Sequence, residues 1–264
     1  MGNLQSKFAV VTGAGSGAGK AIAIALASQG AYTFCIGRRK FEIEKTVSLI
    51  KESNGRADAI VCDVSNAIQV EAVFKKILHW GNVDILINNA AAFGATAFTE
   101  DQTVDSWIQC LNTNILGAAL CNKAVIPGMK QQRSGYIIHI SSLATSFAYT
   151  KRNPYATSKH GLEGLSEVTA GELCEYGICV NTVAPGHITG ERLDAVIQAR
   201  SEVEKKDVKV VRRAFLSQYH LHRDGQSVIL DPEDVAEMVL FLTTTKAGSK
   251  ITGETFGMKC GFRL

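Results

Sequence analysis

The chain has 264 residues, of which 46% are hydrophobic and 20% charged. That balance supplies a large apolar core and excludes a disordered chain, a collagen-like fibre and a small disulfide scaffold. Lys and Arg number 28 against 25 Asp and Glu, a formal net charge of +3, which points away from nucleic acid or an anionic membrane as the main partner.

Residues 8–11 form a short apolar run ending in Thr12-Gly13, the pattern of a buried strand feeding a tight turn. Residues 19–29 carry Ile22, Ile24 and Leu26 among many alanines and predict a helix. Residues 32–36 predict a second strand. The alternation continues, with strands expected over 58–62, 83–88, 136–140 and 179–183 and helices over 40–53, 66–80, 103–132 and 155–176. Nearly continuous apolar strands separated by helices predict an α/β fold, a parallel sheet covered on both faces. Between Gly186 and Pro232 the chain is dense in charges of both signs, with His220 and His222, and reads as helices inserted over a site, their charged faces in solvent. Asp231-Pro232-Glu233-Asp234 has the form of a helix start, and residues 254–258 predict a last strand.

The seven cysteines are odd in number, scattered and without a CxxC pair, so we expect free thiols, no metal site and a reducing cytoplasmic setting. No secretory signal is expected at the N-terminus. The longest charge-free stretch, residues 106–122, contains Gln109, Asn112 and Asn114 and is too polar to span a membrane.

The turn Thr12-Gly13-Ala14-Gly15-Ser16-Gly17-Ala18-Gly19 lies between the first strand and the first helix. There a dinucleotide pyrophosphate meets glycine backbone and the unpaired N–H groups of a helix N-terminus. Two glycine registers fit, Gly13, Gly15 and Ala18, or Gly13, Gly17 and Gly19. The second strand ends in Gly37-Arg38-Arg39-Lys40, and no acid stands where an NAD-binding unit takes the ribose 2′-hydroxyl. A guanidinium fork suits a phosphate dianion, so Arg38, supported by Arg39, predicts NADP(H) as the preferred cofactor, with NAD(H) possible. Asp63 suits either the adenine amino group or the cap of a helix starting near Ser65.

Tyr155 and Lys159 stand four residues apart and share one helix face. A nearby ammonium stabilises a phenolate and lowers the pKa of a tyrosine toward the range useful for proton transfer. Ser142, thirteen residues upstream at the end of the 136–140 strand, offers a hydroxyl to hold a substrate oxygen beside the phenol.

With these residues in view, the chain from Thr12 almost to its C-terminus resembles the classical short-chain dehydrogenase/reductases. Thr12-Gly13-x3-Gly17-x-Gly19 is similar to the family's cofactor turn, Asn88-Asn89-Ala90-Ala91 to its NNAG segment and Pro185-Gly186 to its PG turn. Asn114, Ser142, Tyr155 and Lys159 fall on its four catalytic positions. The resemblance implies one Rossmann domain, a doubly wound parallel sheet with residues 187–231 as a helical substrate lid. Cofactor contacts are implied for Gly13, Ser16, Gly17, Ala18 and Gly19, for Arg38, Arg39, Asp63 and Val64, and for Asn89, Ala90, Tyr155, Lys159, Pro185, Gly186 and Ile188. Substrate contacts are implied for Ser142, Ala144, Tyr149, Tyr155 and His187. Three features depart from the family pattern. Ala91 replaces the last glycine of NNAG, Thr189 comes one residue before the usual threonine position, held here by Gly190, and Lys259-Cys260-Gly261 replaces an aspartate and paired glycines.

The implied activity is hydride transfer between NAD(P)(H) and a small polar alcohol or ketone. Tyr155 would exchange the proton, Ser142 hold the substrate oxygen, Lys159 lower the Tyr155 pKa and hold the ribose, and Asn114 anchor a water in the proton relay. A 3-oxoacyl thioester reductase is the alternative enzyme, and a non-catalytic NADP sensor or scaffold the alternative from another class. The partners expected are a small alcohol or carbonyl substrate and further copies of this chain, as a homotetramer or homodimer packed through helices 103–132 and 155–176, with no nucleic acid and no membrane.

Overall fold

The computed structural model describes residues 4–217, 222–223 and 226–261. The chain begins with β1 (Phe8–Thr12), α1 (Gly17–Ser28), β2 (Tyr32–Gly37), α2 (Lys40–Glu52), β3 (Arg56–Val61), α3 (Ala67–Leu78) and β4 (Ile85–Asn88). It continues with α4 (Val104–Leu111), a π turn (Asn112–Leu116), α5 (Gly117–Gln132), β5 (Gly135–Ile140), α6 (Asn153–Leu173) and β6 (Ile178–Pro185). Then come α7 (Glu191–Glu204), α8 (Val208–Leu216), a short antiparallel pair β7 (His222–Arg223) and β8 (Gln226–Ser227), α9 (Pro232–Thr244) and β9 (Thr255–Met258).

The main sheet has seven parallel strands in the order β3-β2-β1-β4-β5-β6-β9. The α/β fold with a doubly wound parallel sheet is therefore as the sequence pattern predicts. Its strands alternate their side chains between two apolar layers. Ala9 and Val11 of β1, with Ile138 and Ile140 of β5, join Ile22, Leu26, Ile43 and Val239 of α1, α2 and α9 on one face. Val10 and Ile137 join Phe74, Val125, Met129 and Leu173 of α3, α5 and α6 on the other. Each fully buried Ile, Leu or Phe contributes about 1.5–3 kcal/mol from removal of apolar surface from water.

Local chemistry sets the helix ends. Asn66 caps α3 by accepting the Gln69 amide at 3.1 Å. Pro232 sits in the first turn of α9, where the Asp234 carboxylate accepts the Asp231 amide at 2.7 Å. The helix expected over 103–132 is interrupted by the π turn at 112–116. The strand expected over 58–62 starts earlier, because Arg56 already pairs with Tyr32.

The order reverses between β1 and β4, with β2 beside β1 and β5 beside β4. The C-terminal ends of these two strands open a crevice of the kind that takes ligands in open α/β sheets. Helices α7 and α8 pack together through Leu193, Ile197, Val211 and Phe215, a separate apolar cluster that also engages Tyr149. Their outer charges are partly satisfied among themselves, as in the Arg212–Asp194 pair. His220 lies outside the described residues. Among the described residues, no helix is long and apolar enough to cross a membrane.

Candidate active site

A cavity of about 910 Å³ runs over the C-terminal ends of the central strands. It is lined by the glycine turn, by Arg38, Arg39, Asp63 and Val64, by Asn89 and Ala90, by Ser142, Ala144, Tyr149, Tyr155 and Lys159, and by Pro185, Gly186, His187 and Ile188. Asn114 stands just behind this wall, buried against Ala92.

The dinucleotide end is built from backbone. Ser16 begins α1 in an extended conformation without a side-chain cap bond, so the first N–H groups of the helix stay available. Gly17 has φ +51°, a left-handed conformation natural to glycine, and no atom lies within 4 Å of where a Cβ would stand. Gly19 packs so tightly on the turn that a Cβ would strike the Gly13 carbonyl. A latch holds β1 to β4: Thr12 Oγ1 accepts the Asn89 and Ala90 amides at 3.0 Å each, and Asn89 Nδ2 donates to Thr12 O at 2.9 Å. Thr12, the first residue of the glycine turn, thus positions the loop after β4 through its hydroxyl. An uncapped helix start, an open glycine cradle and nearby guanidiniums together fit a dinucleotide.

Arg38 and Arg39 stand at the end of β2, both exposed on the cavity. Arg39 Nη2 donates to Ser16 Oγ at 3.4 Å, and Arg38 Nη1 lies 3.9 Å from Asp63 Oδ2. Of the two roles open to Asp63, the helix cap belongs to Asn66 instead. Asp63 closes a local turn, accepting the Ser65 amide at 3.0 Å and its hydroxyl at 2.7 Å, and remains on the cavity wall.

At the other end, Tyr155 and Lys159 lie one turn apart on α6, and Ser142 follows β5. Glu163 ties these elements together by accepting the Ser141 and Thr145 hydroxyls at 2.7 and 2.9 Å. The Ser142 hydroxyl accepts the Ala144 amide at 3.2 Å. Asn114, in the π turn, accepts the Ala92 amide at 2.7 Å and donates to Ala92 O at 2.9 Å and Ser158 Oγ at 2.7 Å. Its side chain thus joins the loop after β4 to α6. Short π insertions recur where a helix must aim a particular residue.

Burial dominates the electrostatics here. Lys159, 2% exposed, donates from Nζ to Ile140 O at 2.7 Å. Burial, aided by the Arg192 charge, lowers its pKa to about 7. The Tyr155 phenol is pushed up to about 12 by burial, while interaction with the Ser142 hydroxyl pulls the other way. Burial is the largest influence on the phenol, with Ser142, Tyr149, Arg192 and Arg152 as lesser ones. Burial likewise lowers His187 to about 4 and keeps it neutral; its ring lies 5.0 Å from that of Phe215 and 6.2 Å from that of Tyr149. Thr189 donates its hydroxyl to Asp231 at 2.5 Å, securing the start of the α7–α8 segment to the start of α9.

Phe93, Arg152 and Arg192 surround Tyr155. The Phe93 ring stacks on Tyr155 with centroids 4.8 Å apart, and the Arg192 guanidinium lies 4.1 Å over Phe93. Arg152, three residues before Tyr155, carries no local motif that sets it apart from a loop cation.

Comparison with known proteins agrees with this geometry. Residues 7–201 match the family model described as short chain dehydrogenase. The chain belongs to that family. It is an oxidoreductase of a class acting on CH–OH groups. It is 31% identical over 262 residues to the 3-oxoacyl-[acyl-carrier-protein] reductase of Thermotoga maritima, covering 98% of each chain. The crystal structure of NAD+-bound xylitol dehydrogenase superposes with a TM-score of 0.90 at 27% identity, covering 96% of this chain and 98% of that one. A putative gluconate 5-dehydrogenase from Beutenbergia cavernae, with bound NADP, gives 0.84 at 27% identity, covering 96% and 95%.

Proposed function

We propose that this member of the family is an NADP-preferring oxidoreductase acting on a small polar alcohol or ketone. The observation that carries the reading is the convergence of Ser142, Tyr155 and Lys159 on the cavity that also holds the glycine turn and the Arg38–Arg39 pair. The pyrophosphate would rest on the turn at Gly13, Ser16, Gly17, Ala18 and Gly19. Arg38 and Arg39 would take a 2′-phosphate, Asp63 and Val64 the adenine side, and Asn89, Ala90, Pro185, Gly186 and Ile188 the nicotinamide half. When bound, the cofactor supplies or accepts the hydride.

The protein supplies position and the proton. Ser142 orients the substrate oxygen, and Tyr155 donates its proton to that oxygen in reduction or takes it in oxidation. Lys159 holds the ribose and, as the cation nearest the phenol on α6, steadies the phenolate while the proton is away. Asn114 fixes the wall through which that proton is returned from solvent. Ala144, Tyr149 and His187 line the substrate side, under α7 and α8 acting as a lid within a single domain. Similarity to a 3-oxoacyl reductase favours, as a second reading, a 3-oxoacyl thioester as substrate. Exposed Val104, Ile108 and Leu111 on α4, Leu116 in the π turn and Val168 on α6 support assembly of copies through these helices, as a homotetramer or homodimer. The scattered free thiols support a cytoplasmic setting.

The test is nicotinamide absorbance with NADPH and NADH against a panel of ketones, aldehydes and their alcohols, in wild type and Tyr155→Phe. Turnover that falls at least about 1,000-fold in the variant, with cofactor binding retained, is expected. Binding of NADPH without turnover of any substrate supports the sensor instead.

A further inference from the structure

The cavity wall beside Tyr155 carries an unusual charge. Arg152 is 5% exposed yet lines the cavity. Its Nη1 donates to Thr96 Oγ1 at 2.8 Å, and its buried Nε has no hydrogen-bond partner among the described residues. Nearby cations are treated differently. Lys151 and Arg200 both reach Glu204, at 2.9 and 2.6 Å, whereas no ion pair among the described residues includes Arg152 or Arg192. A buried guanidinium without a counter-charge is costly, and the cost is met when an anion pairs with it. A guanidinium on a cavity wall suits a carboxylate through charge-assisted hydrogen bonds.

The placement is close to the reacting group. The Arg152 guanidinium carbon lies 5.8 Å from the Tyr155 ring centre and 5.9 Å from that of Phe93, with Arg192 over the same Phe93 ring at 4.1 Å. Aromatic faces hold both cations beside the site by cation–π attraction. His187, neutral through burial, adds no charge here at neutral pH.

We propose that Arg152, with Arg192 at the rim, is the carboxylate subsite of the substrate, so that the chain acts on a short hydroxy or oxo acid. The carboxylate pairs with Arg152 while the carbinol or carbonyl oxygen lies at Ser142 and Tyr155. This rests on the hydride-transfer reading above. In reduction the carbonyl carbon gains the hydride of NAD(P)H, the oxygen gains the Tyr155 proton, and the products are the hydroxy acid and NAD(P)+. The acid group remains ionised and takes no part in the bond changes.

The experiment compares 2-, 3- and 4-oxopentanoate with their methyl esters, using the full chain with NADPH and NADH. One of the acids is expected to exceed its ester in kcat/KM by about 100-fold, the usual scale for a charged hydrogen-bonded pair. Arg152→Met collapses that acid-over-ester ratio toward one, Arg152→Lys restores part of it, and Arg192→Met lowers it by a smaller factor. In parallel, quenching of bound NADPH fluorescence reports binding of pentanoate but not pentanamide, and Arg152→Met abolishes it. Should Arg152→Met fail to fold by circular dichroism, the Lys and Arg192 variants carry the comparison. Equal use of acid and ester, or equal loss of both in the variants, overturns the carboxylate subsite and leaves hydride transfer standing. Preference for hydroxyacetone phosphate over every oxo acid also overturns it, in favour of a phosphate. Arg152-dependent pentanoate binding without turnover of any ketone keeps the subsite and overturns hydride transfer; neither binding nor turnover overturns both.

Discussion

Replacing His139 by Asn probes how burial controls charge beneath the active site. His139 lies in β5 with 0% exposure, next to Ile140, whose carbonyl holds Lys159. Asn88 Nδ2 donates to Asn122 Oδ1 at 2.8 Å, which orients Asn122 so that its Nδ2 faces His139 Nε2 at 3.2 Å. With the amide donating, Nε2 keeps its lone pair, and Nδ1 has no partner among the described residues. A second proton would break the Asn122 bond and add a buried charge near Lys159. Burial first, and Lys159 second, therefore lower the pKa of His139 from 6.5 to about 3. The unfolded chain then binds a proton that the folded chain refuses, throughout the window from about 6.5 down to about 3. Stability contributed by the neutral imidazole is complete above that window and is lost as pH falls through it. Between pH 7 and pH 5 the loss amounts to about 2 kcal/mol, at about 1.4 kcal/mol per unit once the unfolded histidine is titrating. His139→Asn removes the titration and keeps an amide for Asn122. Urea unfolding at pH 7, 6 and 5 measures both proteins, and the wild type is expected to lose about 2 kcal/mol more than the variant over this range. Equal losses, with a folded-state histidine titrating near its ordinary value by NMR, would refute the argument from burial.

Three further outcomes follow from the same geometry. Arg38→Asp should lower kcat/KM for NADPH relative to NADH by about 10- to 100-fold, the scale of one charged hydrogen bond; an unchanged ratio in steady-state assays removes Arg38 from 2′-phosphate binding. Gly19→Ala forces a methyl against the Gly13 carbonyl and should cost about 1–3 kcal/mol of stability, together with most NADPH affinity, read by thermal unfolding and fluorescence titration. Glu204→Gln leaves Lys151 and Arg200 without their acid and should raise hydrogen exchange across α7 at pH 7. Because its bonds to Lys151 and Arg200 hold the Glu204 pKa down from 4.5 to about 2, the wild-type advantage is complete above the higher value and shrinks as pH falls through that interval.

Much of this protein is written locally. The glycine turn, the strand before it and the alanine-rich helix after it are adjacent in sequence, so residues 12–19 predict both a cofactor cradle and the start of α1. Tyr155 and Lys159 are set together by helical periodicity alone, and apolar runs buried on both faces announce a parallel sheet. The break of the long helix at Asn114 is different. Nothing in Asn112–Leu116 distinguishes a π turn from an α turn until Asn114 finds Ala92 and Ser158 on other elements. The field at Tyr155 is also tertiary. Periodicity places an ammonium beside the phenol, but burial of both groups by the surrounding fold decides that the phenol rises while the ammonium falls. Arg152 makes the same point for buried charge. Its sequence neighbours mark only a polar loop, whereas packing against Thr96, Phe93 and Tyr155 turns it into a buried charge with no ion pair among the described residues. The sequence by itself determined the strands, the glycine turn and the shared helix face of Tyr155 and Lys159, because those depend on short-range periodicity and backbone freedom. Only the tertiary structure decided how burial shifts those groups and which side chains face the cavity, because desolvation and Coulomb energies depend on neighbours far apart in the chain.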